Sequence, residues 1–103
     1  MIKHDELRKN IEERVLEERR VLSEHYTNQC EREFMAAVKN NADFPIRIKV
    51  DVHLTDTDKK GATIIRNFFE KYDYRSVRTN YETGGTILVE IHKNGTAFTR
   101  RPN

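Results

Sequence analysis

The sequence predicts an α+β protein in which a long amino-terminal helix precedes a small β-α-β-β domain. Residues 1–42 consist largely of good helix formers and contain neither glycine nor proline. Residues 46–54 alternate between apolar and polar side chains, as a strand with one buried face does. A helical apolar stripe and two more alternating segments follow. We therefore divide the chain into a helical segment for oligomerisation or interaction, residues 1–42, and a small α+β domain, residues 43–103.

The first helix is predicted over residues 5–38 and carries a thin apolar stripe. Successive stripe residues lie four or seven positions apart. The average repeat of the stripe is therefore longer than the 3.6 residues per turn of a straight helix, and such a repeat favours a right-handed coiled coil. Glu18 interrupts the stripe, so the expected association is specific but modest. We expect a homodimer or a higher oligomer to form through the stripe residues Leu7, Ile11, Val15, Leu22 and Tyr26.

A helix of this length, about 50 Å, would exceed the diameter of the remaining domain. It must therefore either project towards a partner or break and fold back as a helical hairpin. The break would fall within residues 23–28, which combine poor helix formers with potential N-caps. Both arrangements are compatible with the sequence.

The small domain begins with a strand over residues 45–54, whose apolar side chains share one face. Residues 55–58 then supply capping side chains, Asp56 among them, for a second helix predicted over residues 57–72. Gly61 would weaken the first turn of that helix. The predicted core between the sheet and the second helix consists of Ile48, Val50, Ile65, Phe68, Val89 and Ile91.

Two further strands are predicted over residues 74–81 and 86–93, joined by a glycine turn. An Asn-Gly pair at 94–95 is a strong hairpin signal, so residues 96–100 could form a fourth strand. The expected result is a mixed sheet of three or four strands with one helix on it. Without the fourth strand, the third would insert between the first two. With it, strands two to four would form a meander parallel to strand one.

Composition and charge exclude several classes of protein. Charged residues make up 35% of the chain and the net charge is +2, which is too balanced to indicate a nucleic-acid or membrane-surface binder. The longest apolar run, residues 34–38, is too short for a membrane span or a leader peptide. The single cysteine, Cys30, precludes an internal disulfide. We expect a cytoplasmic protein with no membrane contact and no cofactor.

Four side chains on the solvent face of the sheet suggest a metal site. The sequence contains no phosphate-binding loop, nucleophile elbow or zinc-protease motif. Asp51 and His53 share one strand face, as do Glu90 and His92, so the four could converge on a divalent metal if their strands are neighbours. Alternatively, these side chains are surface charges that pair across the strands. A small divalent-metal enzyme is therefore the third functional hypothesis.

A basic cluster late in the chain, interleaved with tyrosines, suggests a nucleic-acid-binding module as the second hypothesis. Arginine and lysine would contact phosphates while aromatic rings stack on bases. The cluster consists of Lys71, Arg75, Arg78, Lys93, Arg100 and Arg101.

The chain resembles a type of small accessory protein encoded by bacteriophages. The resemblance lies in the charged helix, the alternating strand at 46–52, the aromatic-ended helix at 64–74 and the strand at 85–91. The resemblance implies a host-directed or accessory role rather than a metabolic one, and it carries over no functional residues. We therefore expect a non-enzymatic, homo-oligomeric interaction protein that binds and modulates another macromolecule, most simply a protein partner.

Overall fold

A computed structural model describes residues 1–96 and confirms the α+β fold class. The elements, in chain order, are α1 (His4–Lys39), β1 (Ile46–Asp51), α2 (Gly61–Lys71), β2 (Ser76–Glu82) and β3 (Thr86–His92). The inward side chains of the strands alternate with exposed ones, so one face of the sheet is buried. Both helices pack on that face, α1 beside β1 and α2 beside β2.

Helix α1 runs without interruption through residues 23–28, so of the two predicted alternatives the continuous helix is observed and the folded-back hairpin is not. Tertiary contacts outweigh the low helix propensity of this segment. Tyr26 is fully buried there, and the Thr27 hydroxyl donates a hydrogen bond of 2.7 Å to the Ser23 carbonyl one turn earlier. The unbroken helix is about 54 Å long, and the described chain extends 59 Å along its longest axis.

The two halves of α1 have different surroundings. Every residue from 1 to 20 is exposed, and we call residues 4–20 the arm. Further along, Leu22, Tyr26 and Cys30 are buried among the inward side chains of the strands and α2. The hydrophobic core therefore crosses the predicted domain boundary at residue 42, and the described residues 43–96 share their core with α1.

The strand order is β1-β3-β2, so the third strand inserts between the first two as one of the alternatives predicts. Both pairings are antiparallel, which corrects the expected mixed sheet within the described residues. The inward side chains of β3 are all fully buried, which suits the central position. The fourth strand predicted at 96–100 lies almost wholly outside the described residues.

Helix α2 begins at Gly61, four residues later than predicted. Ile65 and Phe69, one turn apart, form its fully buried face, whereas Phe68 is only partly buried against the core. The other predicted core members, Ile48, Val50, Ile65, Val89 and Ile91, are buried together.

Phe69 should contribute more to stability than its neighbour Phe68. We expect Phe69→Ala to lower the free energy of unfolding by about 3–5 kcal/mol, because it removes a buried ring and leaves a cavity. The matched Phe68→Ala variant should cost clearly less. Chemical denaturation of both variants measures the difference, and equal losses would contradict the described packing of α2.

Candidate interaction surface

Helix α1 is held to the domain by a buried hydrogen-bond centre around the Asp56 carboxylate, which we call the Tyr26–Asp56 centre. Asp56 Oδ2 accepts hydrogen bonds from the Tyr26 hydroxyl at 2.7 Å and from the Gly61 N–H at 2.9 Å. Asp56 Oδ1 accepts the Lys60 N–H at 2.7 Å. The Tyr81 hydroxyl lies 3.4 Å from Oδ2. One carboxylate thus caps the start of α2, as predicted for Asp56, and also links α1 to β2.

Gly61 allows α1 and α2 to approach each other at this centre. A Cβ atom at this position would lie 2.7 Å from Tyr26 Cζ and 2.9 Å from Asp56 Oδ2, closer than real Cβ contacts. Glycine is therefore required here by close packing. The sequence pattern shows Gly61 only as a poor helix former, since its neighbour Tyr26 is 35 positions away in the chain.

Burial and hydrogen bonding set the charge states of the centre. Burial alone would raise the pKa of Asp56, but the donors from Tyr26, Lys60, Gly61 and Tyr81 together outweigh it and hold that pKa below its ordinary value. Burial and the adjacent carboxylate raise the pKa of Tyr26 well above its ordinary value. At neutral pH, Asp56 is therefore ionised and Tyr26 is neutral, which is the pairing that the hydrogen bonds require.

Two more side chains of α1 attach it to the end of β1. Gln29 Oε1 accepts the Asp51 N–H at 2.9 Å, and His25 Nε2 donates to the Asp51 carbonyl at 2.7 Å. The His53 N–H donates to the Tyr26 hydroxyl at 3.1 Å, and the rings of His25 and His53 meet edge to face with centroids 4.9 Å apart. These contacts fix the direction in which α1 leaves the domain.

The register of the sheet separates the four residues of the predicted metal site. Arg47 pairs with Glu90 and Asp51 with Thr86, so Asp51 lies about 13 Å along β1 from the level of Glu90. His53 lies beyond Asp51, and His92 lies beyond the opposite end. Glu90 instead accepts a hydrogen bond from Arg47 at 3.1 Å. Within residues 1–96, no group of three or more His, Cys, Asp or Glu side chains is placed to hold a metal ion.

The described members of the predicted basic cluster lie on separate elements with acidic residues between them. Arg75 forms an ion pair of 2.8 Å with Asp73. Arg78 stands in register beside Glu90 on the outer face of the sheet. Lys71 ends α2 and Lys93 follows β3, whereas Arg100 and Arg101 lie outside the described residues. This part of the surface therefore carries mixed charge.

An aromatic groove, which sequence reasoning missed, lies between α1 and α2. It has a volume of about 320 Å³, and its rings meet edge to face, as Phe34 and Tyr74 do with centroids 5.3 Å apart. Tyr72 at its edge is 64% exposed. The groove is lined by Glu31, Phe34, Met35, Phe68, Phe69, Tyr72 and Tyr74. It combines residues about 40 positions apart, so the only sequence signal is the aromatic density of residues 68–74.

The apolar stripe of α1 divides into a covered part and an uncovered part. Leu22 and Tyr26 belong to the core of their own chain, which corrects their assignment to a self-association seam. Leu7, Ile11 and Val15 are 47%, 43% and 39% exposed on the arm. The same helix face that packs on the sheet therefore continues into solvent for about three turns.

Charged side chains occupy much of the rest of the arm and support its helical conformation. Arg8 donates to Glu12 one turn later at 3.2 Å, and Arg20 donates to Glu24 at 2.8 Å. Each such pair stabilises an exposed helix by a few tenths of a kcal/mol, about 0.2–0.5. The arm thus presents its apolar residues on a continuous helical ridge.

Comparisons with protein-family models, with curated proteins and with solved structures each return no match. Among residues 1–96, no helix combines the length and the apolar character that crossing a bilayer requires.

Gly61→Ala should destabilise the fold by about 1–3 kcal/mol, because its methyl group would overlap Tyr26 and Asp56. Gly84→Ala is the matched control, since a Cβ there meets nothing within 4 Å, and it should change stability by less than about 0.5 kcal/mol. Thermal unfolding compares the two. A Gly61→Ala variant as stable as the Gly84→Ala variant would contradict the close packing at the Tyr26–Asp56 centre.

The Tyr26–Asp56 centre should also make stability depend on pH in acid. Because folding lowers the pKa of Asp56, its contribution is present above about pH 4 and is lost as the pH falls through the folded value. Tyr26→Phe removes one donor, so it should cost about 1–3 kcal/mol at neutral pH and make the loss of stability in acid smaller.

The exposed neighbour Asp58 provides the control for this pH dependence, because Asp58→Asn should leave the acid profile unchanged. Thermal midpoints recorded from about pH 2 to 7 test both variants. Identical profiles for Tyr26→Phe and the wild type would argue against the described hydrogen bond.

Proposed function

We propose that the protein is a non-enzymatic interaction protein that associates with copies of itself through the arm and binds another macromolecule through its domain. The observation that carries this proposal is the uncovered stripe of Leu7, Ile11 and Val15 on a helix that extends beyond its own core. Aliphatic side chains aligned on one face of a projecting helix form an apolar patch that association would cover.

Within residues 1–96, the arm contributes no side chain to the hydrophobic core. Its residues are all exposed, and the hydrophobic core begins with Leu22. A separate helix of about this length is marginal in water, whereas the arm continues a helix that is anchored through Tyr26. An anchored helix that presents an apolar stripe is suited to helix–helix association.

The aromatic groove is the surface that we assign to another macromolecule. Its exposed apolar members, Met35 and Tyr72, extend the apolar lining to the protein surface, and aromatic residues and methionine are enriched in binding interfaces. It lies beside the domain half of α1, so its use does not compete with pairing of the arm. An accessory role, as the resemblance to bacteriophage proteins implies, requires such a binding surface and no catalytic site.

Nucleic-acid binding is the weaker alternative, because Asp73 and Glu90 lie among the described basic residues. A phosphate-binding surface needs a concentration of positive charge, and its affinity falls steeply with salt. Retention on nucleic acid that is lost with rising salt would favour this alternative.

The arm stripe should control the oligomeric state. We expect the wild type to be a dimer or a larger closed assembly in light scattering, and Ile11→Asp to yield the 12.2 kDa monomer, because burial of an unpaired carboxylate is unfavourable. Leu16→Asp is the matched control, since Leu16 is 63% exposed on another face of the same helix, and it should leave the assembly intact. A monomeric wild type at high concentration would overturn self-association.

A further inference from the structure

The uncovered face of the arm has a symmetric pattern. His4, Leu7, Ile11, Val15 and Glu18 follow one another at steps of three, four, four and three residues, so the spacing reads the same in both directions from Ile11. With 3.6 residues per turn, all five fall within an arc of about 80° on the helix surface. Along the helix, this face carries one histidine, then three aliphatic residues, then one glutamate.

We propose that the partner of the arm is the arm of a second copy of this chain, packed antiparallel with its twofold axis at Ile11. This inference rests on the proposed self-association and adds its geometry. In that register Ile11 meets the partner's Ile11, and Leu7 meets the partner's Val15. A single stripe can cover itself in this way because a twofold interface uses the same patch on both copies.

Charge complementarity favours the antiparallel register and gives Glu18 a role. His4 faces the partner's Glu18, so the residue that interrupts the stripe gains an imidazole N–H donor across the interface. On one flank, Arg8 lies at nearly the level of the partner's Glu12, which joins the two existing Arg8–Glu12 pairs into one cluster. A parallel pairing in register would instead place each Glu18 beside its own copy, and like charges at that distance repel.

The fold leaves room for this arrangement. Within the part of the chain that the structure describes, each of residues 4–18 is exposed, so a second helix can reach the stripe. At its inner end, Val15 and Glu18 line a small hollow with residues 55–58 of the loop before α2. The partner's amino-terminal turn would end at this hollow, and the two domains would lie at opposite ends of the paired arms.

Single cysteines on the exposed stripe test the register in the full-length protein. The native Cys30 does not interfere, because it is fully buried and burial raises the pKa of its thiol to about 12. Under mild oxidation, Ile11→Cys alone should form a covalent dimer. Leu7→Cys and Val15→Cys should each form little dimer alone but should link to each other efficiently when mixed. The wild type, oxidised in the same way, is the control.

A charge-reversal pair tests the ionic contact independently. Glu18→Lys should weaken the dimer by about two- to tenfold, since the symmetric contact occurs twice and exposed pairs are individually weak. His4→Glu combined with Glu18→Lys should restore the affinity. Failure of the combined variant to recover any affinity would overturn the contact between His4 and the partner's Glu18.

The outcomes separate this inference from the proposed function. If Leu7→Cys and Val15→Cys each cross-link alone as efficiently as Ile11→Cys does, the antiparallel register is wrong, but the protein still self-associates. A wild type that is monomeric in light scattering would overturn both. The antiparallel register is supported if two samples cross-link more than the oxidised wild type does. These samples are Ile11→Cys alone and the mixture of Leu7→Cys with Val15→Cys.

Discussion

The hydrogen bond between the Tyr26 hydroxyl and the buried Asp56 carboxylate is the contact on which the arrangement of this protein depends. The same carboxylate accepts the N–H groups of Lys60 and Gly61 at the start of α2, and the Tyr81 hydroxyl of β2 lies beside it. A buried carboxylate is costly unless it is fully hydrogen-bonded. Because its donors come from α1, α2 and β2, the requirement to satisfy one charge positions three elements together.

This anchoring lets one helix serve two purposes. The half of α1 that contains Tyr26 and Cys30 completes the core, while the arm continues the same helix face into solvent. Because the arm continues the same helix, the contacts of Gln29 and His25 with Asp51 also fix the direction of the arm. This geometry supports the proposed function, because a rigidly held ridge would lose little conformational freedom on association.

Local patterns predict the elements well and their mutual placement poorly. The alternation in 46–54 is accessible from the chain, whereas the central position of β3 is one of two arrangements that the chain leaves open. The register that brings Arg47 to Glu90 is not accessible, and it separates the supposed metal ligands. Likewise, Gly61 marks a helix contact that depends on Tyr26 and Asp56 together. The aromatic groove joins Phe34 to residues of α2 and the following loop, which no periodicity connects.

The sequence by itself determined which faces of the elements are apolar, where the strands lie and that the first helix carries a stripe. Periodicity records the chemistry of a face because side chains repeat every two or 3.6 residues. Tertiary structure decided what covers each face: Leu22 and Tyr26 entered the core while Leu7, Ile11 and Val15 stayed outside. It also decided that α1 is continuous, because the free energy of packing Tyr26 exceeds the local preference of residues 23–28 to leave the helix.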